Sequence, residues 1–306
     1  MNFKQLEAFV RVAELQSFTR AARQLYMSQP AVSFQIKSLE ESLGATLFLR
    51  GDKKVILTEA GHLLYPEARQ MLRHYQKIKE GLAGLRGLQT GHLLVGASTI
   101  PGEYLLPLLI GGFKEHHPGV QVTLKVAGSG QVDRWLKERE IDLGITGAPV
   151  AGEGLTCLPW LGDELVLIVP PGHPLYGRQS ATVEELLAGP LILREPGSGT
   201  RRTLESKLNE KGYALDKSRV VMELGSTRAV ITAVQAGRGA SVVSLWAAND
   251  LLALGRVHRV NDVDGLDLTR RFYVTHGQDW LGSFVTKAFI EYITAGEVCR
   301  LLLKTE

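Results

Sequence analysis

Four short stretches of this chain place hydroxyls and glycines where an apolar strand pattern gives way to a helical one. They are Ser98-Thr99, Gly128-Ser129-Gly130, Pro196-Gly197-Ser198-Gly199-Thr200 and Gly225-Ser226-Thr227. A helix N-terminus presents free N–H groups and a partial positive charge, so such turns favour anions. In parallel α/β sheets, ligands bind beyond the carboxyl ends of the strands. The third stretch is the sharpest. Its glycines allow close backbone approach, its hydroxyls and N–H groups suit an oxyanion, and it opens a helix carrying Arg201 and Arg202. Arg201 either adds charge there or lies on the surface. Each turn alone also reads as simple capping, because Ser, Thr and Gly precede helices everywhere. Four of them converging on one cleft would make a site.

A second group of residues suits nucleic acid. Ser28 can cap a helix whose apolar residues Val32, Ile36, Leu39 and Leu43 are spaced 4, 3, 4. Gln29, Pro30, Ser33, Phe34 and Lys37 lie on another side of it. Gln can contact adenine bidentately, Ser either a base edge or phosphate, and Pro or Phe a thymine methyl. Lys37, with Arg50, Lys53 and Lys54 further on, suits phosphate. The bland alternative is a small helical bundle with a solvated polar face.

Catalytic patterns are missing. There is no phosphate-binding G-x-x-x-x-G-K-[ST], and GSGQVD and GRGASV each lack the third glycine of a dinucleotide fingerprint. No G-x-S-x-G or HExxH occurs. His116 and His117 are adjacent and point about 100° apart on a helix, which does not make a metal site. Cys157 and Cys299 read as packed thiols and fit a reducing compartment. No enzyme, metal or cofactor is expected. The alternative is an α/β enzyme or a solute-binding protein with an appended interaction domain. Salt-dependent binding to duplex DNA separates these.

The elements that must position these groups fall into three parts. With 306 residues, 44% hydrophobic and 22% charged, the chain has the bulk for about two domains. No apolar run approaches the roughly 20 residues of a membrane span, and no signal-peptide pattern opens the chain, so a cytoplasmic location with no membrane partner is expected. Residues 1–88 hold 13 Lys and Arg against 8 Asp and Glu, whereas the remainder holds 22 against 24. The basic excess therefore lies beside the nucleic-acid candidates.

Residues 1–58 read as three short helices and a hairpin with a basic tip, a winged helix-turn-helix. Ser17 caps the second helix, whose Ala21 and Ala22 admit close packing, and Gly44 ends the third. Residues 59–90 read as a long helix. Leu64, Ala68, Met71, Tyr75, Ile78, Leu82 and Leu85 are spaced 4, 3, 4, 3, 4, 3, a heptad seam for a dimer partner. Docking of that stripe on its own chain is the alternative. Residues 91–306 alternate strand and helix, which implies an α/β domain with mainly parallel sheets. Its closing helix reads as DWLGSFVTKAFIEYITAG.

The run FTRAARQLYMSQPAVSFQIKSLEESLGATLFLRGDKKVILTEAG closely resembles the DNA-binding end of LysR-type transcriptional regulators. The alanine pair, SQPAVS, QIKSLE, LG, LF and LTEAG carry the likeness, and DELVLIVPPGHPL and VQAGRGASVVS extend it over essentially the whole chain. Phe34 departs from the pattern, since many members carry a basic residue there. The resemblance implies a homodimer, often paired into a tetramer, on an inverted-repeat operator with a T-N11-A-like core. RNA polymerase is a further candidate partner. It also implies a C-terminal effector domain of two lobes, like periplasmic binding proteins. Lobe I is expected over about 91–162 and 267–306, and lobe II over about 163–266. Ser98, Thr99, Ile100, Gly128, Ser129, Gly147, Gly197, Ser198, Gly199, Thr200 and Ser226 are then expected to line or shape the cleft. EPGSGTRR resembles a branch with regulators of sulfur assimilation and carbon fixation. The expected effector is thus a small anion, sulfite or sulfate ahead of an organic acid or phosphorylated metabolite.

Overall fold

The structure, a computed structural model, describes residues 1–50, 55–84, 90–278, 284–296 and 298. The chain divides into two compact units, Met1–Ala83 and Gly84–Glu306.

In the first unit, α1 (Phe3–Leu15) opens with a reciprocal cap: Gln5 N–H donates to Asn2 Oδ1 at 3.0 Å and Asn2 N–H to Gln5 Oε1 at 2.8 Å. Gln5 Nε2 then donates to Ser38 Oγ at 3.0 Å, which pins α1 to α3 (Gln29–Leu43). Between them α2 (Phe18–Gln24) starts at Ser17 and buries Ala21 and Ala22. The small side chains let the three helices close over Phe9, Val32, Ile36 and Leu39. Leu43 is exposed, unlike the rest of the α3 stripe, because it is the helix's last residue. Gly44 ends α3 with φ +65°, a left-handed conformation suited to glycine. The wing pairs β1 (Phe48–Arg50) with β2 (Val55–Leu57) antiparallel, Phe48 opposite Leu57. Thr58 then accepts Gly61 N–H at 3.0 Å at the head of α4 (Glu59–Gly84), which continues through Pro66.

The second unit has two lobes. Lobe I begins with β3 (Gly91–Ala97), followed by a π-helical turn, Pro101–Leu105, and α5 (Leu106–His116). Pro107 lacks the N–H that would continue the ladder back into the turn, and α5 starts around it. Then come β4 (Val120–Val126), α6 (Ser129–Lys137) and β5 (Leu143–Thr146). The 15-residue β6 (Leu155–Val169) carries the chain into lobe II. Lobe II holds β7 (Ser180–Ala181), α7 (Val183–Ala188), β8 (Leu191–Arg194) and α8 (Gly199–Glu210). It continues with β9 (Val220–Leu224), α9 (Thr227–Gln235), β10 (Ser241–Ser244), α10 (Leu245–Ala253), β11 (His258–Val260) and β12 (Asp262–Val263). The chain returns to lobe I on β13 (Thr269–Gly277), and α11 (Phe284–Thr294) closes it. Of the segment read as the closing helix, residues 279–283 lie outside the described residues.

The main sheet has the order β10-β6-β13-β5-β3-β4, with β11 also on β6. It is mixed, not mainly parallel. β3 pairs parallel with β4 and β5, but β13 runs antiparallel to β5 and β6, and β10 and β11 antiparallel to β6. The cause is topological: β6 and β13 carry the chain between the lobes in opposite senses. β6 stays on β13 through Glu164 and takes up β10 from Leu165. One apolar core joins Leu93, Val95 and Ile145 to Ile192, Val230 and Val243, so it runs through both lobes. Separate clusters around Leu167, Leu204 and Val242, and around Val132, Leu136 and Ile141, fill the outer faces.

Candidate functional site

On α3, Val32, Ile36 and Leu39 face inward, so the remaining side chains point away from the core. Ser28 caps the helix through Ala31 N–H at 3.3 Å. Ser28, Gln29, Pro30 and Lys37 are exposed and Ser33 is half-buried. Gln29 Nε2 donates to Ser33 Oγ at 2.9 Å, so the two sit as a unit one helical turn apart. Phe34 is 68% exposed and has no cover within its unit. The polar face is thus as the sequence arranges it. Glu40 accepts Leu47 N–H at 2.7 Å, which fixes the start of the wing relative to α3. The Arg50 side chain, Lys53 and Lys54 lie outside the described residues.

The long helix divides its stripe. Ala68 is fully buried in the core of its own unit, with Leu64, Tyr65 and Leu72 packed beside it. The first two seam positions therefore dock on their own chain, because α4 starts from the wing and must cover the helices below. Further along, Met71, Tyr75, Ile78 and Leu82 are exposed. Tyr75 also stacks on Phe3, ring centroids 4.3 Å apart, which explains why Phe3 stays outside the core. Leu85 lies outside the described residues.

Between the lobes is a narrow cleft lined by Ser98, Thr99, Ile100, Gly128, Ser129, Gly147, Arg194, Ser198, Gly199, Thr200 and Arg270. Strand ends place these groups. Ser98 follows β3, with its N–H on Ile145 O at 2.8 Å. Gly128 caps α6 after β4, Gly147 follows β5, and Ser198 caps α8 after β8. Two helix N-termini, one from each lobe, thereby open on the same space. Ser98, Ser129, Ser198 and Thr200 are buried residues lining this space, and their hydroxyls have no hydrogen-bond partner among the described residues.

Two expected residues stand apart from the lining. Gly197 has φ +87° and shapes the turn before α8. Ser226 spends its hydroxyl on capping α9 through Ala229 N–H at 3.2 Å. Arg201 neither charges the cleft nor stands free on the surface. Its guanidinium is held by Glu205 and Glu223, each at 2.7 Å, and by Arg194 O at 3.1 Å.

The cleft's charges come instead from residues that the sequence does not single out. Arg270 donates through Nε and Nη2 to Asp163 Oδ2, both at 2.7 Å, and Ser244 donates to Asp163 Oδ1 at 2.6 Å. The Arg270 side chain is only 7% exposed and Asp163 is fully enclosed. Burial pushes the Asp163 carboxyl up and the Arg270 guanidinium down, and their mutual attraction opposes both. Nη1 of Arg270 has no partner among the described residues. It points between two glycines: a Cβ on Gly147 would stand 3.3 Å from it, and one on Gly199 3.2 Å. Arg194 donates to Thr227 Oγ1 at 2.6 Å in its own lobe and reaches Thr99 Oγ1 at 3.3 Å in the other. Its position at the end of an apolar strand, just before the EPGSGT turn, is a signal that could have found it. Arg270 has no such signal, since it lies 70 residues further on.

Among the described residues, no three His, Cys, Asp or Glu side chains gather as a metal site, and no helix is long and apolar enough to cross a membrane. The arrangement is a polar cleft lined by hydroxyls, glycines and two buried guanidinium groups. Residues 86–297 match the model of the LysR substrate binding domain. The chain belongs to the LysR family of transcriptional regulators. Residues 3–62 match the family's bacterial regulatory helix-turn-helix model. Among similar LysR-type regulators is the HTH-type transcriptional activator CmpR of Synechocystis, 33% identical over 95% of this chain and 94% of that one. A full-length OxyR variant from Pseudomonas aeruginosa shares the fold, with a TM-score of 0.74 at 23% identity over 98% of this chain and 97% of that one. The regulatory domain of Synechocystis CcmR, solved in complex with 2-PG, is 30% identical with a TM-score of 0.61, over 67% of this chain and 97% of that one.

Proposed function

We propose that this LysR-type regulator binds duplex DNA through the polar face of α3 and the wing, as a dimer built on α4, and that a small anion between the lobes is its effector. The observation that carries the effector is the set of uncommitted donors in one cleft: Nη1 of Arg270 and the hydroxyls of Ser98, Ser129, Ser198 and Thr200. These donors open on the cleft, and one oxyanion can accept from several of them at once. The close approach of the two lobes favours a small inorganic oxyanion such as sulfite or sulfate. A phosphorylated acid is the second reading, favoured by the 2-PG complex of the CcmR regulatory domain. Bound anion bridges the lobes and shifts the population toward a closed arrangement. That changes the DNA contact only as far as the anion's affinities for the two arrangements differ.

The test is thermal unfolding of the full chain with sulfite, sulfate, phosphate or 2-PG. At about 100 times Kd, the bound form gains roughly 2.7 kcal/mol. The expected result is a shift with at least one anion that is lost in Thr200→Ala. No shift with any of them, or a shift unchanged in Thr200→Ala, overturns the anion site.

A further inference from the structure

Glu195 occupies the place of a built-in anion beside the cleft. It follows Arg194 directly, and its two oxygens accept Nε and Nη2 of Arg194, both at 2.8 Å. With Thr227 and Thr99 also bound, each of the three guanidinium nitrogens of Arg194 has an acceptor within the protein. Arg194 is 4% exposed, so this charge is compensated inside the protein. The Glu195 carboxylate reaches across the lobes as well. Its Oε1 lies 3.6 Å from where a Cβ on Gly128 would stand, at the N-terminus of α6. A lobe II carboxylate therefore faces a lobe I helix end that favours negative charge.

The charges pair off. Asp163 balances Arg270 and Glu195 balances Arg194. The cleft thus offers donors without net positive charge. We propose that Glu195 is a charge selector, a specificity-determining residue that limits how much negative charge an effector can bring. This rests on the anion reading of the cleft. Glu195 need not touch the ligand, because its field acts on whatever charge is bound. Coulomb energy is proportional to ligand charge. Removing the Glu195 charge therefore helps a dianion twice as much in free energy as a monoanion. The gain for a dianion is then the square of the gain for a monoanion. A role confined to holding Arg194 in place would be lost in Glu195→Asp as well, because the shorter side chain cannot keep both hydrogen bonds to Arg194.

The experiment titrates the full chain with sulfate and with formate at pH 7.5, by calorimetry. The variants are Glu195→Gln, which removes the charge at the same size, and Glu195→Asp, which keeps it. Expected for Glu195→Gln is about tenfold tighter sulfate and about threefold tighter formate. Glu195→Asp should keep the wild-type ratio of the two affinities. If Glu195→Gln leaves that ratio unchanged, or weakens both anions, the selector is overturned while wild-type sulfate binding keeps the anion site. If neither anion binds wild type or Glu195→Gln, the selector and the anion site fall together.

Discussion

Asp163 is the residue whose loss the cleft can least absorb. It is the only partner of Nε and Nη2 of Arg270 among the described residues, and Ser244 holds its other oxygen. Replacing it with Asn keeps the shape and removes the charge. Arg270 then stays buried and charged without its counter-ion, because guanidinium does not give up its proton in proteins. Breaking a buried pair in this way costs about 3–5 kcal/mol. Asp163→Asn is therefore expected to lower the urea midpoint of the effector-domain transition by a matching amount. A midpoint within error of wild type would mean that the pair contributes nothing net. At this scale the sequence shows the hydroxyls better than the charges. Ser98, Ser129, Ser198 and Thr200 announce themselves because capping is local: a hydroxyl, a glycine and the helix that follows lie within a few residues. Arg270 meets Asp163 across 107 positions, and no pattern in either neighbourhood encodes the meeting.

At the scale of elements, the apolar stripe of α4 is buried in one part and exposed in the other. Its first turns, through Ala68, complete the core under the helix-turn-helix. Its later turns leave Met71, Tyr75, Ile78 and Leu82 in solvent, with Ile78 61% exposed. The 4-3 spacing is continuous through both parts, so periodicity alone cannot show where docking on the same chain stops. Burial against the wing decides it. Met71→Glu together with Ile78→Glu is expected to convert a dimer to monomers at micromolar concentration by light scattering, with the helical circular dichroism of the first unit kept. A dimer that persists would move the interface elsewhere. The sheet reverses the lesson. Most of its strands are legible as short β-rich runs, though β11 and the first half of β6 are not, and the directions of none of them are. Direction follows from which strands cross between the lobes, and β6 and β13 meet from more than a hundred residues apart.

The whole molecule couples a basic helix-turn-helix unit to a nearly neutral remainder, a division visible in composition alone. Binding to DNA through phosphate contacts releases counterions, so the affinity must fall steeply with salt. Full chain on an inverted-repeat duplex is expected to show this in a log–log plot, and Lys37→Ala to flatten the slope by about one unit. An unchanged slope would remove Lys37 from the phosphate contacts. β13 has a separate consequence, one of timing. It sits inside the lobe I sheet, between β6 and β5, yet among the described residues it is the last strand to be made. A ribosome releases residues in order, and N-terminal domains tend to fold first. The helix-turn-helix unit is then finished while lobe I still lacks a central strand. Any chain that terminates before Thr269 carries the head without β13 and without the Arg270 that lines the cleft.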